Sequence, residues 1–354
     1  MAKSKYSIVG VMSGTSLDGI DIAHITFELN ERWTFKINNA ETIGYTDFWY
    51  ETLSNLVNQD SDRLKAIDEN YTIYVAKMIN EFIEKNQLKN IDAICSHGHT
   101  ALHQPDKGLT YQIGNQEQIA ILTKQNVVCD FRIQDVELGG QGAPLVPIGD
   151  QFLFSEYDFC LNLGGFANIS FEKNSNRIAF DICPVNIVLN HYCKKIGLEY
   201  DAFGRLASEG KLNLSLLNEL NALEFYHLDF PKSLGLEWVN LNVFPIIDSY
   251  QLEVKDVLRT VVEHIVIQIN SVLQEKLSAL VLITGGGTYN TYLIQRLKDL
   301  YRNKIVIPSE DIIEYKEALI FGLLGVLKLR NETNCLASVT GAKRNHSSGV
   351  IYYV

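Results

Sequence analysis

The segment 9–23 carries the side chains and the spacing that best suit chemistry on a phosphate group. An apolar run enters it and an alternating apolar run leaves it from Ile20, and two such runs around a polar turn predict a β-hairpin. Gly14 and Gly19 allow positive φ angles and let a ligand approach the main chain, and successive amide groups in such a turn form a concave anion site. The same segment holds hydroxyl donors and carboxylates able to bind a hydrated cation beside a polyphosphate: Ser13, Thr15, Ser16, Asp18 and Asp21.

Glycine and serine alone would be typical of an ordinary tight turn, but the whole pattern is more specific. It runs Gly-x-Met-Ser-Gly-Thr-Ser-x-Asp-Gly-x-Asp from Gly10 to Asp21. No Gly-Lys-Ser/Thr follows, which excludes the strand-to-helix phosphate loop. A strand rather than a helix comes next, which excludes a dinucleotide fingerprint. We therefore expect a phosphate-binding hairpin.

Asp181 is the candidate for acid–base chemistry. The run 177–180 predicts a short strand that ends at Asp181, and Pro184 is well placed to open the helix that follows. A carboxylate at the tip of a strand, facing a cleft, can act as a general base. A lone aspartate before a helix can also be a simple cap, and the residues alone leave both interpretations open.

Two further glycine turns follow buried strands. Gly164-Gly165 separates predicted strands at 159–163 and 167–171 and so repeats the arrangement of the first hairpin. Gly285–Gly287 separates a strand at 279–283 from a helix, where main-chain amides come close to a ligand. Each turn alone is weak support for a site.

Three histidines at 97, 99 and 103 suggest zinc, but the sequence argues against it. Gly98 and Pro105 bracket a stretch too short for a helix, and no acidic or cysteine ligand stands nearby. We expect a buried strand at 91–95 followed by a polar turn, a place where α/β proteins bind ligands.

Bulk properties favour a globular protein with two domains. A chain of 354 residues is long for one core, and the net charge of −11 argues against binding nucleic acid. The N-terminus enters a β run without a signal-peptide core, and no apolar segment could span a bilayer, so no membrane contact is expected. The six scattered cysteines form no CxxC pair and suggest free thiols in the cytoplasm.

Seven segments, in order, resemble the anhydro-N-acetylmuramic acid kinase family of the acetate and sugar kinase, heat-shock-70 and actin superfamily. They are 10–21, 130–147, 162–169, 180–186, 200–207, 231–237 and 316–321. The resemblance implies an α/β fold in which two ribonuclease-H-like (actin-like ATPase) domains flank a deep interdomain cleft. It places one domain at 1–130 plus about 340–354 and the other at 131–339.

The resemblance also implies an activity: an ATP-dependent kinase that uses MgATP and water to open 1,6-anhydro-N-acetylmuramic acid and yields N-acetylmuramic acid 6-phosphate. The family acts in peptidoglycan recycling and amino sugar catabolism, in the cytoplasm and as a homodimer. Asp181 would be its catalytic base, and Asp18 and Asp21 would hold Mg²⁺. ATP would contact Gly10, Ser13, Gly14, Thr15, Ser16, Asp18, Gly19, Gly164, Gly165, Asn168, Gly285, Gly286 and Gly287. The sugar would contact His97, Gln112, Asp130, Arg132, Gln141, Pro144 and Asn186.

Some residues depart from the family pattern. The family motif Phe-Asp-Thr-Gly-Pro-Gly-Asn stands here as Phe-Asp-Ile-Cys-Pro-Val-Asn at 180–186, His99 replaces a glutamine and Leu236 replaces an arginine. These departures leave two alternatives: a kinase for another sugar, or a non-catalytic ATP-binding sensor of the same fold.

Overall fold

The computed structural model describes residues 3–276, 278–301 and 304–354, which form two compact units. Unit 1 comprises Met1–Leu153 and Tyr315–Val354, and unit 2 comprises Phe154–Glu314. The strands are β1 (Lys5–Ser13), β2 (Ile20–Leu29), β3 (Trp33–Ile43), β4 (Ala93–Gln104), β5 (Leu109–Ile113), β6 (Val127–Cys129), β7 (Phe159–Leu163), β8 (Phe166–Lys173), β9 (Asn176–Pro184), β10 (Val281–Thr284), β11 (Ile305–Val306) and β12 (Val350–Tyr352).

The α-helices of the described residues range from single turns to seven turns. They are α1 (Asp47–Ser54), α2 (Ser61–Lys85), α3 (Gln118–Thr123), α4 (Ile133–Glu137), α5 (Val146–Leu153), α6 (Asn186–Lys194), α7 (Arg205–Glu209), α8 (Leu214–Asn221), α9 (Leu236–Asn242), α10 (Phe244–Ser249), α11 (Val254–Leu273), α12 (Thr291–Leu300), α13 (Glu310–Leu329) and α14 (Ala337–Thr340). Within the described ranges, none of them has both the length and the apolar character that crossing a membrane requires.

The two units repeat one sheet topology. In unit 1, β1, β2 and β3 are antiparallel neighbours, and β4 and then β6 continue the sheet parallel to β1. In unit 2, β7, β8 and β9 are antiparallel neighbours, and β10 and β11 continue it parallel to β7. The order is β3-β2-β1-β4-β6 in unit 1, where β12 pairs with β6 at the edge, and β9-β8-β7-β10-β11 in unit 2. Each unit therefore contains the five-strand arrangement of a ribonuclease-H-like core. The second glycine hairpin predicted from the sequence is confirmed.

The helical spacing of apolar residues in the sequence predicts a helix at roughly 70–85, but helix α2 begins earlier, at Ser61. Asp60 caps it, because its carboxylate accepts hydrogen bonds from the amides of Asp62 and Arg63 at 3.1 and 2.9 Å. The predicted stripe of this helix, which includes Tyr71 and Phe82, is buried in the core of unit 1.

The predicted turn at 96–105 is wrong, because β4 continues through it to Gln104. Strand β5 pairs with the second half of β4, from His99 with Ile113 to Gln104 with Leu109. His97 and His99 therefore lie in a strand, and the hairpin partner that extends this strand lies later in the chain.

The compact units divide at other positions than the predicted domain boundaries at 130/131 and 339/340. The segments 131–153 and 315–339 pack with the first sheet. Gly10 in β1 leaves room for the main chain of α13 at Ala318, where a Cβ would collide with the carbonyl. The glycine- and proline-rich loop at 138–147 consequently lies inside unit 1.

Apolar residues at helical spacing predict a long helix at about 256–277, and helix α11 corresponds to it. Its apolar face, which includes Val261, Ile265 and Ile269, is buried in the core of unit 2. The helix ends at Leu273, and the predicted last residue, Leu277, lies outside the described residues.

Candidate active site

Asp181 lies in a row of four polar residues that crosses the sheet of unit 2. The strand register pairs Thr284 with Asn162, Asn162 with Asn168, and Asn168 with Asp181. Residues paired directly across neighbouring strands share one face of a sheet. The row therefore brings the candidate base and the predicted phosphate ligand Asn168 together on one surface.

The expected strand end at Asp181 is wrong, since β9 continues to Pro184. A register shift between Ala167 and Asn168 lets β9 stay paired past Asp181. The three residues that depart from the family motif, Ile182, Cys183 and Val185, are at most 2% exposed and pack in the core of unit 2. Their apolar character is explained by this packing, whereas Leu236 is 47% exposed.

The segment 232–234 fixes the Asp181 carboxylate. The Leu234 amide donates to Asp181 Oδ2 at 2.8 Å, and the Asp181 amide donates to the Lys232 carbonyl at 3.1 Å. Burial raises the pKa of the Asp181 carboxyl, and the Leu234 amide partly offsets that rise. A held carboxylate whose pKa is raised toward neutrality is suited to general base catalysis.

The Gly164-Gly165 turn is held against the start of α6. The amides of Val185 and Asn186 donate to the carbonyls of Gly165 and Gly164 at 2.8 and 3.3 Å. Asn186 Nδ2 also approaches the Leu163 carbonyl at 3.5 Å. The turn, Asn186 and the row of residues that includes Asp181 thus lie at the same end of the strands of this sheet.

The three glycines at 285–287 have different surroundings. A Cβ on Gly285, which has φ of 85°, would lie 2.6 Å from Asn162 Oδ1, and one on Gly287 would lie 2.7 Å from Leu163 Cβ. Gly286 has no heavy atom within 4 Å of its Cβ position. The outer glycines are needed for packing against β7, and the middle one leaves open space for a ligand.

In unit 1, the predicted phosphate hairpin forms as expected, with Ser13 paired to Ile20 across its base. Thr15, Ser16 and Asp18 are exposed in the turn, and the Leu17 amide donates to the Gly14 carbonyl at 3.3 Å. A Cβ on Gly19 would lie 2.5 Å from the Ile43 carbonyl oxygen. Gly10 lies three residues before the turn, inside β1, and Asp21 Oδ1 accepts a hydrogen bond from Thr42 at 2.6 Å.

Sequence reasoning missed the side chains that hold Ser13. Its buried hydroxyl lies 2.6 Å from Tyr45 Oη, 2.9 Å from Tyr71 Oη and 2.7 Å from His99 Nδ1. Burial lowers the pKa of His99 to about 4, and it raises the pKa of both tyrosines, Tyr45 to about 12. The network is therefore uncharged at neutral pH and holds the start of the turn.

The predicted sugar-binding residues of unit 1 form connected pairs. Arg132 Nε donates to His97 Nε2 at 2.8 Å, and Arg132 Nη1 donates to the Gly142 carbonyl at 2.6 Å. Burial, with the charge of Arg132 as a smaller cause, lowers the pKa of His97 well below its ordinary value. Asn115, which the sequence did not single out, donates to Asp130 Oδ1 at 3.1 Å, and burial raises the pKa of Asp130 to about 6.

The other predicted sugar ligands of unit 1, which are Gln112, Gln141 and Pro144, differ in burial. Gln112 is 3% exposed and donates to Thr110 Oγ1 at 2.9 Å, while its Oε1 has no hydrogen-bond partner in the described part of the chain. Gln141 and Pro144 are exposed in the loop that precedes α5. These residues belong to unit 1, whereas Asp181, Asn186 and the later glycine turns belong to unit 2.

Two ribonuclease-H-like sheets, each with a glycine turn between its first two strands, define a protein of the actin-like ATPase and sugar kinase class. The family model for anhydro-N-acetylmuramic acid kinase matches residues 6–354. The chain belongs to the anhydro-N-acetylmuramic acid kinase family.

Relatives of that name cover almost the whole chain. The anhydro-N-acetylmuramic acid kinase of Mannheimia succiniciproducens is 35% identical and covers 99% of this chain and 100% of its own length. That of Pasteurella multocida is also 35% identical, covering 99% of this chain and 98% of its own. A solved xylulose kinase from Lactobacillus acidophilus is 12% identical, covers 91% of this chain and 89% of its own, and has a TM-score of 0.47.

Proposed function

We propose that this chain is an ATP-dependent kinase that opens 1,6-anhydro-N-acetylmuramic acid with water and yields N-acetylmuramic acid 6-phosphate. Family membership supports the kinase activity and the choice of sugar. The observation that carries the proposal is the position of Asp181. It belongs to the same row of paired residues across the sheet as Asn168 and Thr284, and it lies beside two glycine turns. The reaction would serve peptidoglycan recycling and amino sugar catabolism.

Asp181 is proposed as the base that activates water. The carboxylate takes a proton from the water as its oxygen bonds to the anomeric carbon, and the bond from that carbon to O6 breaks. O6 then bonds to the γ-phosphorus of ATP, and ADP leaves. The hydrogen bond that Asp181 accepts from the Leu234 amide would fix the direction in which the carboxylate faces the water.

The glycine turns are proposed to hold the nucleotide. Main-chain amides of the turns at 14–19 and 164–165 would bind the phosphates, and the adenosine would lie over Gly285–Gly287, where Gly286 leaves open space. Asp18 is exposed in the first turn and, with Asp21, offers the carboxylate oxygens that Mg²⁺ prefers. The ion would neutralise charge on the phosphates.

The sugar is proposed to contact the polar set of unit 1 together with Asn186. Arg132 is oriented by two hydrogen bonds and can present its remaining donors to an acceptor on the sugar or its lactyl group. The buried, unpartnered Gln112 Oε1 suits a sugar hydroxyl donor. The homodimer is proposed from family membership alone. A cytoplasmic location is supported by the six scattered, buried cysteines.

A coupled ADP-release assay tests the proposal. With ATP and the anhydro sugar, we expect steady turnover and a phosphorylated product. Turnover with other anhydro or amino sugars, but not with this one, would support a kinase of different specificity. ATP binding without turnover on any sugar would support a non-catalytic sensor and contradict the proposal.

A further inference from the structure

Three buried side chains that the proposed reaction does not use meet beside the glycine-rich loop of unit 1. Asp135, Cys335 and His346 are 0%, 1% and 7% exposed, and their ligand atoms all lie within 4.8 Å of one another. The Cys335 sulfur is 3.0 Å from Asp135 Oδ1, and His346 Nε2 is 3.6 Å from the same oxygen. Thiolate, imidazole and carboxylate donors around one point are typical of a zinc site.

The hydrogen bonding of His346 points to a cation in this cluster. Its Nδ1 lies 3.1 Å from the Arg344 carbonyl oxygen, which can only accept, so Nδ1 carries a proton. Its Nε2 is buried and has no hydrogen-bond partner among the residues that the structure describes. In the neutral ring this nitrogen turns a lone pair toward the Asp135 carboxylate, and two acceptors facing each other away from water are unfavourable. A cation between them would bind both.

We propose that Asp135, Cys335 and His346 bind a zinc ion. Bonds of about 2.0–2.3 Å in a tetrahedral arrangement place neighbouring ligand atoms roughly 3.3–3.6 Å apart, close to the separations of 3.0 and 3.6 Å. The hydrogen bond from His346 Nδ1 to the Arg344 carbonyl is the outer contact that orients a ligating histidine. The Thr340 hydroxyl donates to Asp135 Oδ1 at 2.7 Å and so helps to orient this carboxylate.

The charges of the cluster are balanced when zinc is bound. Burial raises the pKa of the Cys335 thiol, so the free cluster holds a protonated sulfur that donates to Asp135. Zinc displaces this proton to solvent, and the two negative ligands offset the charge of the ion. The nearby Arg132 guanidinium opposes a cation but favours the thiolate.

The ion would join two parts of unit 1 that are far apart in the sequence. Cys335 and His346 belong to the C-terminal segment and exchange backbone hydrogen bonds of 3.1 and 3.2 Å. Asp135 lies in α4, and its Oδ2 accepts from the Gly142 amide at 2.7 Å. Zinc would therefore tie the C-terminal segment to the loop that carries Gln141, which also donates its amide to the Thr340 carbonyl at 2.8 Å.

Metal analysis of the full-length protein tests the site. After loading with zinc and desalting, we expect about one zinc per chain, released by a strong chelator with a fall in melting temperature. Cys335→Ala and His346→Ala should each lose most of this zinc. Cys193→Ala is the matched control, because Cys193 is equally buried but lies in unit 2, and it should retain the ion.

Cobalt substitution keeps the test decisive if a variant does not fold. The unmutated protein loaded with Co²⁺ should show a thiolate-to-cobalt charge-transfer band, since among the described residues Cys335 is the cysteine that meets two other metal donors. No retained zinc and no such band would overturn the proposal. So would zinc that persists in both variants. Neither result bears on the kinase activity, which the ADP-release assay measures separately.

Discussion

The Asp181→Asn variant separates the chemical role of this carboxylate from its structural role. The amide keeps an oxygen that can accept from the Leu234 amide, which lies 2.8 Å from Asp181 Oδ2. We therefore expect the free energy of unfolding to stay within about 1 kcal/mol of the unmutated protein. Losing a general base typically lowers the rate about 10²- to 10⁴-fold, which corresponds to roughly 3–5 kcal/mol of the barrier.

ADP release at saturating ATP and sugar measures this loss, and calorimetry measures ATP binding, which should be unchanged. Asp248→Asn is the matched control, because this carboxylate of α10 bonds Tyr192 and Lys195 at 3.0 and 2.8 Å and has no proposed role in the reaction. Asp181→Ala, which also loses the acceptor for Leu234, should cost about 1 kcal/mol more in stability than the amide variant. Turnover of Asp181→Asn within about threefold of the unmutated protein would refute its role as base.

Three further predictions concern the turns and the sugar-binding residues. Gly285→Ala should lower the free energy of unfolding by about 1–3 kcal/mol, because φ is 85° and the new Cβ meets a side-chain oxygen at 2.6 Å. Gly286→Ala meets nothing within 4 Å and should instead raise the KM for ATP, so equal stability losses in thermal melts would contradict the packing. Because burial raises the pKa of Asp130 from 3.8 to about 6, the cost of its charge is absent below the lower value and complete above the higher one. Asp130→Asn should therefore gain about 3 kcal/mol over the unmutated protein at pH 7 and less than about 1 kcal/mol at pH 4 in urea titrations, and a difference independent of pH would count against this. Tyr71→Phe, which removes the 2.9 Å hydrogen bond to Ser13, should raise the KM for ATP about 2- to 10-fold; a fall in kcat at constant KM would show that the network serves another purpose.

Elements with local signals could be predicted from the sequence. The two glycine hairpins have apolar runs on both sides of a short turn, so each strand pair needs only neighbouring residues to be recognised. Asn290 precedes the helix predicted after the three glycines and is a residue type preferred at N-caps, and its side chain accepts from the Leu293 amide at 2.9 Å. These features depend on contacts between residues that lie close together in the sequence.

Features that depend on distant contacts could not be predicted. The continuation of β4 past residue 95 depends on β5. The continuation of β9 past Asp181 depends on pairing with β8 that resumes after one extra residue, Ile182, in β9. The limits of unit 1 depend on α13, which returns to the first sheet after unit 2. The residues around each of these positions give no indication of the distant partner that determines their structure.

The candidate site shows the same division. Residue type and spacing single out Asp181 and the glycine turns as candidates, whereas Tyr71 belongs to an apolar helical stripe that predicts only core packing. Tyr45 and Tyr71 lie 32 and 58 residues from Ser13 in the sequence, and only the fold brings their hydroxyls to it. Hydrogen bonds between residues so far apart in the chain produce no periodic pattern in the sequence.

Mass spectrometry of the product formed in oxygen-18 water tests most directly whether solvent water opens the anhydro ring while O6 takes the phosphoryl group. The account predicts one heavy oxygen at the anomeric carbon, phosphate on O6 and no heavy oxygen in the phosphate. Product incubated in the same water without the protein controls for exchange. An unlabelled anomeric oxygen, or label carried by the phosphate, would contradict the proposed reaction.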